Sequence, residues 1–273
     1  MRILFIGDIV GRTGRAIVLD KLPGLIKGYK LDLVVINGEN AAGGFGITES
    51  IYNDLIDAGA DAVTLGNHAW DQREALVFIE RAPKLVRPIN YPKGTPGRGA
   101  AMVEAKNGAR ALVMNVMGRI FMDPLDDPFI AIDRELHACA LKDGADAILI
   151  DMHCEATSEK QAMGYLADGR ATLVVGTHTH VPTADHRILP NGTAFMSDVG
   201  MTGDFESVIG MNRDEPLQRF LSRIPQGRFE PANGPATLCG VAVESDDATG
   251  FAVKIGPLRI GGKLEEVRPS FWA

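Results

Sequence analysis

The sequence is poor in cysteine and has no long apolar run, and each shortage excludes a class of protein. Its three cysteines (Cys139, Cys154 and Cys239) are widely spaced and form no Cys-x-x-Cys pair. This pattern indicates reduced thiols and favours a cytoplasmic location. No stretch approaches the ~20 apolar residues of a membrane-spanning helix, and the apolar run at the N-terminus is too short for a signal peptide. We therefore expect a cytoplasmic protein that does not associate with membranes.

Basic residues are also in short supply. The chain of 273 residues has 28 Lys and Arg against 35 Asp and Glu, a net charge of −7. A DNA-binding surface needs an excess of positive charge, so DNA is not an expected partner, although a small phosphorylated ligand can still be held locally. No internal repeat, low-complexity tract or linker divides the sequence. We therefore predict one domain that spans residues 1–273.

What the sequence does have is a regular alternation of short apolar runs and helical patterns. Such an alternation predicts an α/β fold with a central sheet and helices on both faces. The apolar runs are residues 3–6, 33–36, 62–65, 111–116, 147–150 and 173–175, and the helical patterns are 14–27, 48–58, 71–81, 128–142 and 158–168. Residues 241–244 and 251–255 flank a short turn and predict an antiparallel hairpin. Frequent Pro and Gly from 182 to 235 predict long loops. Together these patterns predict a two-sheet α/β sandwich with antiparallel strands added late.

Five of the apolar runs end in residues of the kinds that bind metal ions. Because the carboxyl ends of parallel strands share one edge of a sheet, we expect these side chains to meet although they are far apart in the sequence. They are Asp8, Glu39, Asn40, Asn67, His68, His153, His178 and His180. Oxygen donors and imidazoles suit first-row divalent metals such as Fe, Mn, Co or Zn. These are more ligands than one tetrahedral zinc ion binds. Their number suits two metal ions that lie ~3.5–4 Å apart and are bridged by a carboxylate.

Each residue taken alone also has a structural explanation. Asp8 could cap the helix that follows it, Glu39 and Asn40 could form a turn, and the pair Asn67-His68 could serve loop hydrogen bonds. The His178-x-His180 spacing points further towards a metal, because on an extended segment both side chains face the same way. The repetition at five strand ends favours a common site over five separate structural roles.

Several motifs resemble those of a known superfamily. Gly7-Asp8, Gly66-Asn67-His68, His153 and the GTHTH segment at 176–180 resemble, in this order, the motifs of calcineurin-like metallophosphoesterases. The longer stretches GDIVGRTGR, NGENAAGGFGIT, GNHAWD, DMHCEATSEK, GTHTHVPTAD and SDVGMTG are similar to the YmdB family of bacterial phosphodiesterases, over residues 1 to about 260. The resemblance implies a single metallophosphoesterase domain, a four-layer α-β-β-α sandwich of two mixed sheets flanked by helices.

The resemblance also implies two sets of metal ligands. The first metal would be held by Asp8, Glu39, Asn40 and His180, and the second by Glu39, Asn67, His153 and His178. The sequence departs from the broad superfamily at two positions, both of which resemble the YmdB branch. Val10 stands where the superfamily has a histidine ligand, and Glu39 replaces the bridging aspartate. Asn40 would compensate for the missing histidine. His68 would face the leaving oxygen and donate a proton. Asp71 and Glu155 could orient histidines or cap helices.

The implied activity is that of a dinuclear metal-dependent phosphodiesterase. A metal-bridging hydroxide would attack a phosphodiester, and 2′,3′-cyclic nucleotides are the implied substrates, with a regulatory role in bacteria. The implied cofactors are two divalent ions, with Fe expected first and Mn or Zn as alternatives. The expected partner is a small phosphodiester or cyclic nucleotide, and homo-oligomerisation is open. A phosphomonoesterase and a non-catalytic nucleotide sensor remain alternatives. The monoesterase would need a basic clamp for a terminal phosphate, and the sensor would need no proton donor such as His68.

Overall fold

The computed structural model describes residues 1–272. Its strands are β1 (Arg2–Ile6), β2 (Leu33–Asn37), β3 (Ala62–Thr64), β4 (Leu85–Val86), β5 (Ala100–Glu104), β6 (Arg110–Met117), β7 (Ala147–His153), β8 (Leu173–Thr177), β9 (Arg187–Ile188), β10 (Ala194–Met196), β11 (Gly203–Asp204), β12 (Ala236–Ser245) and β13 (Ala252–Ile260). Its α-helices are α1 (Gly11–Tyr29), α2 (Glu49–Asp57), α3 (Ala75–Phe78), α4 (Pro128–Ala138), α5 (Thr157–Ala167) and α6 (Asp214–Ser222). No helix among these residues is long and apolar enough to span a membrane.

The strands form two mixed sheets. The first has the order β11-β12-β1-β2-β3-β4, with β13 paired to β12, and its strands β1 to β4 are parallel. The second has the order β5-β6-β7-β8-β10-β9, in which β6, β7, β8 and β10 are parallel. The late strand β12 pairs antiparallel with both β1 and β13. This arrangement confirms the predicted hairpin and the predicted mixed sheets.

Alternate residues of the strands point to two different cores. In β1, Phe5 packs in a core that also holds Leu149 and Val175 of the second sheet, so this core lies between the sheets. Leu4 and Ile6 point the other way and pack against α1 and α2. The outer face of the second sheet packs against α4 and α5. The period of two in the strands thus builds four layers in the order α-β-β-α, as predicted.

Some elements differ from the expectations. The pattern at 71–81 forms only the short helix α3 and a 3₁₀ turn at residues 79–81, and α1 extends beyond the predicted 14–27 at both ends. The span 182–235, predicted as loops, also contains β9, β10, β11 and α6. Only Pro216 of α6 is buried, whereas Phe220 and Leu221 are exposed. The apolar residues of α6 therefore lie on one side of the helix without being buried in a core.

The side chains that could bind metal ions lie at the edge where the parallel strands of both sheets end. Residues 197–202 run across this edge and are called the crossing segment here. The crossing segment lies very close to two glycines. A Cβ atom on Gly7 would overlap the carbonyl oxygen of Gly200, and one on Gly176 would overlap that of Ser197. Glycine at these strand ends therefore lets the crossing segment pack directly on the backbone.

We predict that Gly176→Ala destabilises the fold by about 1–3 kcal/mol, because the added methyl group displaces the crossing segment. Gly24→Ala in α1 is the matched control. A Cβ there has no neighbour within 4 Å, so alanine should raise stability by about 0.5–1 kcal/mol through its better helix propensity. Urea unfolding of both variants measures the two effects. Equal stability of Gly176→Ala and the wild type would contradict the close packing.

Candidate active site

The sequence-predicted residues come together at the shared edge of the two sheets. Asp8 follows β1, Glu39 and Asn40 follow β2, Asn67 and His68 follow β3, His153 ends β7, and His178 and His180 follow β8. Asp8, Glu39, Asn40, His153 and His180 are buried, and the other three are partly exposed. The expectation that strand ends far apart in the sequence meet in space is therefore confirmed.

Glu39 is at the centre of this group. Its Oε1 atom lies 3.2 Å from Nε2 of His153 and accepts a hydrogen bond from the Asn40 amide at 3.0 Å. Its Oε2 atom accepts a hydrogen bond from the backbone N–H of His68 at 3.2 Å. Gly66 is required beside it, because a Cβ there would overlap both Glu39 and His153. One carboxylate thus contacts groups that both sheets provide.

Two groups of side chains have the spacing of metal ligands, and Glu39 belongs to both. The ligand atoms of Glu39, His153 and His178 lie within 4.8 Å of one another, as do those of Asp8, Glu39 and His180. The two amide side chains are distributed between the groups. Asn67 Oδ1 is 2.8 Å from His153 Nε2, and Asn40 Nδ2 is 3.0 Å from His180 Nε2. The donor set of carboxylates, amides and imidazoles fits two divalent ions that share a carboxylate.

Each histidine of the site has one ring nitrogen bonded to an acceptor away from the ligand cluster. His180 Nδ1 donates to the carbonyl of Ile209 at 2.7 Å, and His68 Nδ1 donates to Asp71 at 2.7 Å. His178 Nε2 lies 3.3 Å from a carboxylate oxygen of Glu155. These contacts orient the rings and leave the other nitrogen for the site.

His153 is oriented through a longer chain of hydrogen bonds. The Thr177 hydroxyl donates to Oδ1 of buried Asp151 at 2.7 Å, so its oxygen accepts from His153 Nδ1 at 2.8 Å. The other oxygen of Asp151 accepts from Asn37 and Thr64. Sequence reasoning did not identify these residues as part of the site. The signal was present, since Asp151 lies two residues before His153 on the same strand and face.

The histidines after β8 do not lie on an extended segment, contrary to the expectation. His178 and His180 have φ values of 92° and 67°, in the left-handed region. A buried ion pair below them holds this loop. Lys160 Nζ lies 2.7 Å from Asp198 Oδ2 and donates to the carbonyl of Thr177 at 2.8 Å. Asp198 also accepts from the backbone N–H and the hydroxyl of Thr179. The same two histidines therefore converge by loop geometry rather than by strand alternation.

Charges within the cluster set the protonation of its members. Burial raises the pKa of Asp8 well above its usual value. Burial would also raise the pKa of Glu39, but the neighbouring His153 and His68 lower it strongly. Burial lowers the pKa of His153, but Glu39 and Asp8 outweigh that effect and raise it to about 9. Burial and the charge of His153 lower the pKa of His178 to about 3.

The structural explanations considered for single residues do not account for Asp8. The residue before α1 is Val10, and no side chain caps this helix. Asp8 instead accepts two long hydrogen bonds, each 3.4 Å, from the backbone N–H of His178. Its carboxylate thus contacts the second sheet rather than its own helix.

Comparison with known proteins assigns the family. A sequence model described as YmdB-like protein matches residues 4–258. The chain belongs to the YmdB-like family. It is 54% identical over 255 residues to a Bacillus subtilis (strain 168) protein named 2′,3′-cyclic-nucleotide 2′-phosphodiesterase, and the match covers 93% of this chain and 95% of that protein.

Solved structures agree with this assignment. A crystal structure described as a novel phosphatase from Mycoplasma pneumoniae is 36% identical, with a TM-score of 0.87, and the match covers 96% of this chain and 93% of that one. The calcineurin-like phosphoesterase YfkN from Bacillus subtilis has a TM-score of 0.55 at 14% identity, with 95% and 90% of the two chains covered. This second likeness shows the fold alone, which is the predicted sandwich of two mixed sheets.

We predict that Thr177→Val weakens metal binding about 10- to 100-fold, because His153 loses the hydroxyl that orients its ring. Thr177→Ser is the matched control, since it keeps the hydroxyl and should bind metal like the wild type. Calorimetric titration of the metal-free proteins with Mn²⁺ measures both. Unchanged affinity in Thr177→Val would contradict the orienting role of Thr177.

Proposed function

We propose that this protein is a dinuclear metal-dependent phosphodiesterase that hydrolyses 2′,3′-cyclic nucleotides. The observation that carries the proposal is the pair of ligand groups that share Glu39. The relative from B. subtilis, 54% identical over nearly the whole chain, supports the substrate class by its name. A regulatory role for the reaction remains a prediction from the resemblance.

In this proposal, Asp8, Glu39, Asn40 and His180 hold one divalent ion, and Glu39, Asn67, His153 and His178 hold the other. Two carboxylates among neutral ligands leave the pair with net positive charge, which attracts an anionic phosphodiester. When bound, the ions neutralise charge on the phosphate and lower the pKa of a water molecule that can attack it. The donor set accepts Fe, Mn or Zn, and we expect Fe first, as the resemblance implies.

His68 is the proposed proton donor to the leaving oxygen. Its Nδ1 atom is held by Asp71, and its backbone N–H contacts Glu39. Because Nδ1 is bonded to Asp71, Nε2 is the ring nitrogen left to donate a proton to the leaving oxygen. The edge of His68 also packs against Phe45, with the ring centroids 5.1 Å apart. These contacts fix a partly exposed ring next to the metal-ligand cluster.

We further infer a single domain over residues 1–273, which is supported by the core that both sheets share. The three cysteines form no disulfide within residues 1–272, consistent with the cytoplasmic location predicted from the sequence. The absence of DNA and membrane partners is a prediction from composition and charge, and homo-oligomerisation remains open.

The proposal is tested with protein reconstituted separately with Fe²⁺, Mn²⁺ and Zn²⁺ and incubated with 2′,3′-cyclic AMP. We expect release of adenosine monophosphate that a chelator abolishes and that the same metal restores. Turnover of only a phosphomonoester, such as adenosine monophosphate itself, would replace the proposal with the monoesterase. Tight binding of the cyclic nucleotide by metal-loaded protein without turnover would favour the sensor.

We predict that His68→Ala keeps two bound metal ions and substrate binding but lowers kcat about 10²- to 10⁴-fold, because the leaving oxygen loses its proton donor. Elemental analysis and steady-state kinetics measure the two properties on one preparation. Asp71→Asn keeps the ring and should reduce kcat less. Parallel loss of metal and activity in His68→Ala would show that His68 is a ligand and not the proton donor.

A further inference from the structure

The metal-ligand cluster opens into a cavity of about 550 Å³ that the proposed chemistry does not use. Glu39, Asn40, His178 and His180 form one part of its wall. Most of the remaining wall is apolar, and it includes Phe45, Val208, Ile209, Met211, Phe220 and Phe229. This volume lies in the range that holds a small organic ligand. The cavity thus combines a phosphate-binding end with a large apolar surface.

One part of the apolar wall is a rigid stack of flat groups. The guanidinium of Arg219 lies over the ring of Phe229, 4.0 Å from its centroid. Its Nε atom donates to Glu215 at 2.7 Å, and Nη2 donates to the carbonyl of Gly227 at 2.8 Å. Glu215 also accepts from the backbone N–H of Gln226. These bonds within the protein hold the stack in place and use two of the five N–H groups of Arg219.

The exposed aromatic Phe220 adds to this surface. It follows Arg219 on α6 and is 79% exposed, although it lines the cavity. Across the same cavity, Phe45 is held by its edge contact with His68. An exposed aromatic residue beside an apolar cavity is typical of a surface that a ligand covers. Three phenylalanines and one arginine plane therefore surround the space next to the metal ligands.

We propose that this cavity binds the nucleobase of the substrate by stacking, with Phe220 and the Phe229–Arg219 pair as its specificity-determining residues. The proposal rests on the proposed function, which places the phosphate at Glu39 and the histidines. A nucleotide is a phosphate joined through a sugar to a flat, largely apolar ring, and it matches both ends of the cavity. Stacking contacts the face of a base and tolerates every base. Because stacking involves the face of a base and not its hydrogen-bonding edge, we expect the four common bases to be accepted within about tenfold of one another.

The test compares 2′,3′-cyclic AMP with methyl ribofuranoside 2′,3′-cyclic phosphate, which has the same reacting group but no base. Wild-type, metal-loaded protein should have a kcat/KM about five- to 100-fold higher for the nucleotide, the range expected from one stacked base. Phe220→Ala and Phe229→Leu should lower kcat/KM for the nucleotide through KM and leave the value for the base-free substrate unchanged. Leu221→Ala is the matched control, an exposed apolar residue of α6 that does not line the cavity.

Two outcomes would overturn the base site. The first is equal kcat/KM for both substrates in the wild type, and the second is an equal loss for both substrates in the two phenylalanine variants. If no metal-loaded protein hydrolyses either substrate, the proposed function fails instead. Calorimetric binding of 2′,3′-cyclic AMP to the same variants then decides the base site, since weaker binding in Phe220→Ala and Phe229→Leu supports it and unchanged binding refutes it.

Discussion

The structure depends on the groups that stabilise the charge of one buried carboxylate. Glu39 is 1% exposed, and a charge removed from water is strongly destabilising unless other groups replace its hydration. Its partners come from the loop after β2, from the loop after β3 and from the last residue of β7. Those elements belong to different sheets, so the relative position of the sheets is linked to the chemistry at their common edge. A divalent cation at this point would strengthen the same compensation.

A buried ion pair formed by Lys160 and Asp198 also supports the site. Lys160 and Asp198 are both nearly inaccessible to water, and they hold the loop that bears His178 and His180 through hydrogen bonds with Thr177 and Thr179. The crossing segment that carries Asp198 also packs on Gly7 and Gly176, at the ends of β1 and β8. Residues outside the proposed set of metal ligands thus decide where the histidine rings point. The precision of the site comes from these contacts as much as from the ligands themselves.

The sequence predicted the parts of the fold that follow from local pattern. Alternation within strands such as β1 and β2, and polar residues after them, were enough to predict the layers and to bring Asp8, Glu39 and His153 together. Other parts depend on long-range contacts that leave no local pattern. Thr177 is indistinguishable from a structural threonine until Asp151 is seen beside it, and α6 leaves apolar residues such as Phe220 exposed, so no core contact fixes its position. The left-handed conformation of His178 likewise arises from Lys160 and Asp198, which are distant in sequence.

The left-handed backbone at His178 and His180 has a consequence for metal exchange. Such a conformation is unfavourable by about 1–2 kcal/mol for each non-glycine residue, and the folded chain bears this strain at both histidines. The ligand rings are also locked by bonds to groups outside the cluster, such as the carbonyl of Ile209. If the site binds metal ions as proposed, an arriving ion would meet side chains that are already held in place. The donor set accepts several divalent metals, so the metal supply of the cell would then decide which ion is bound.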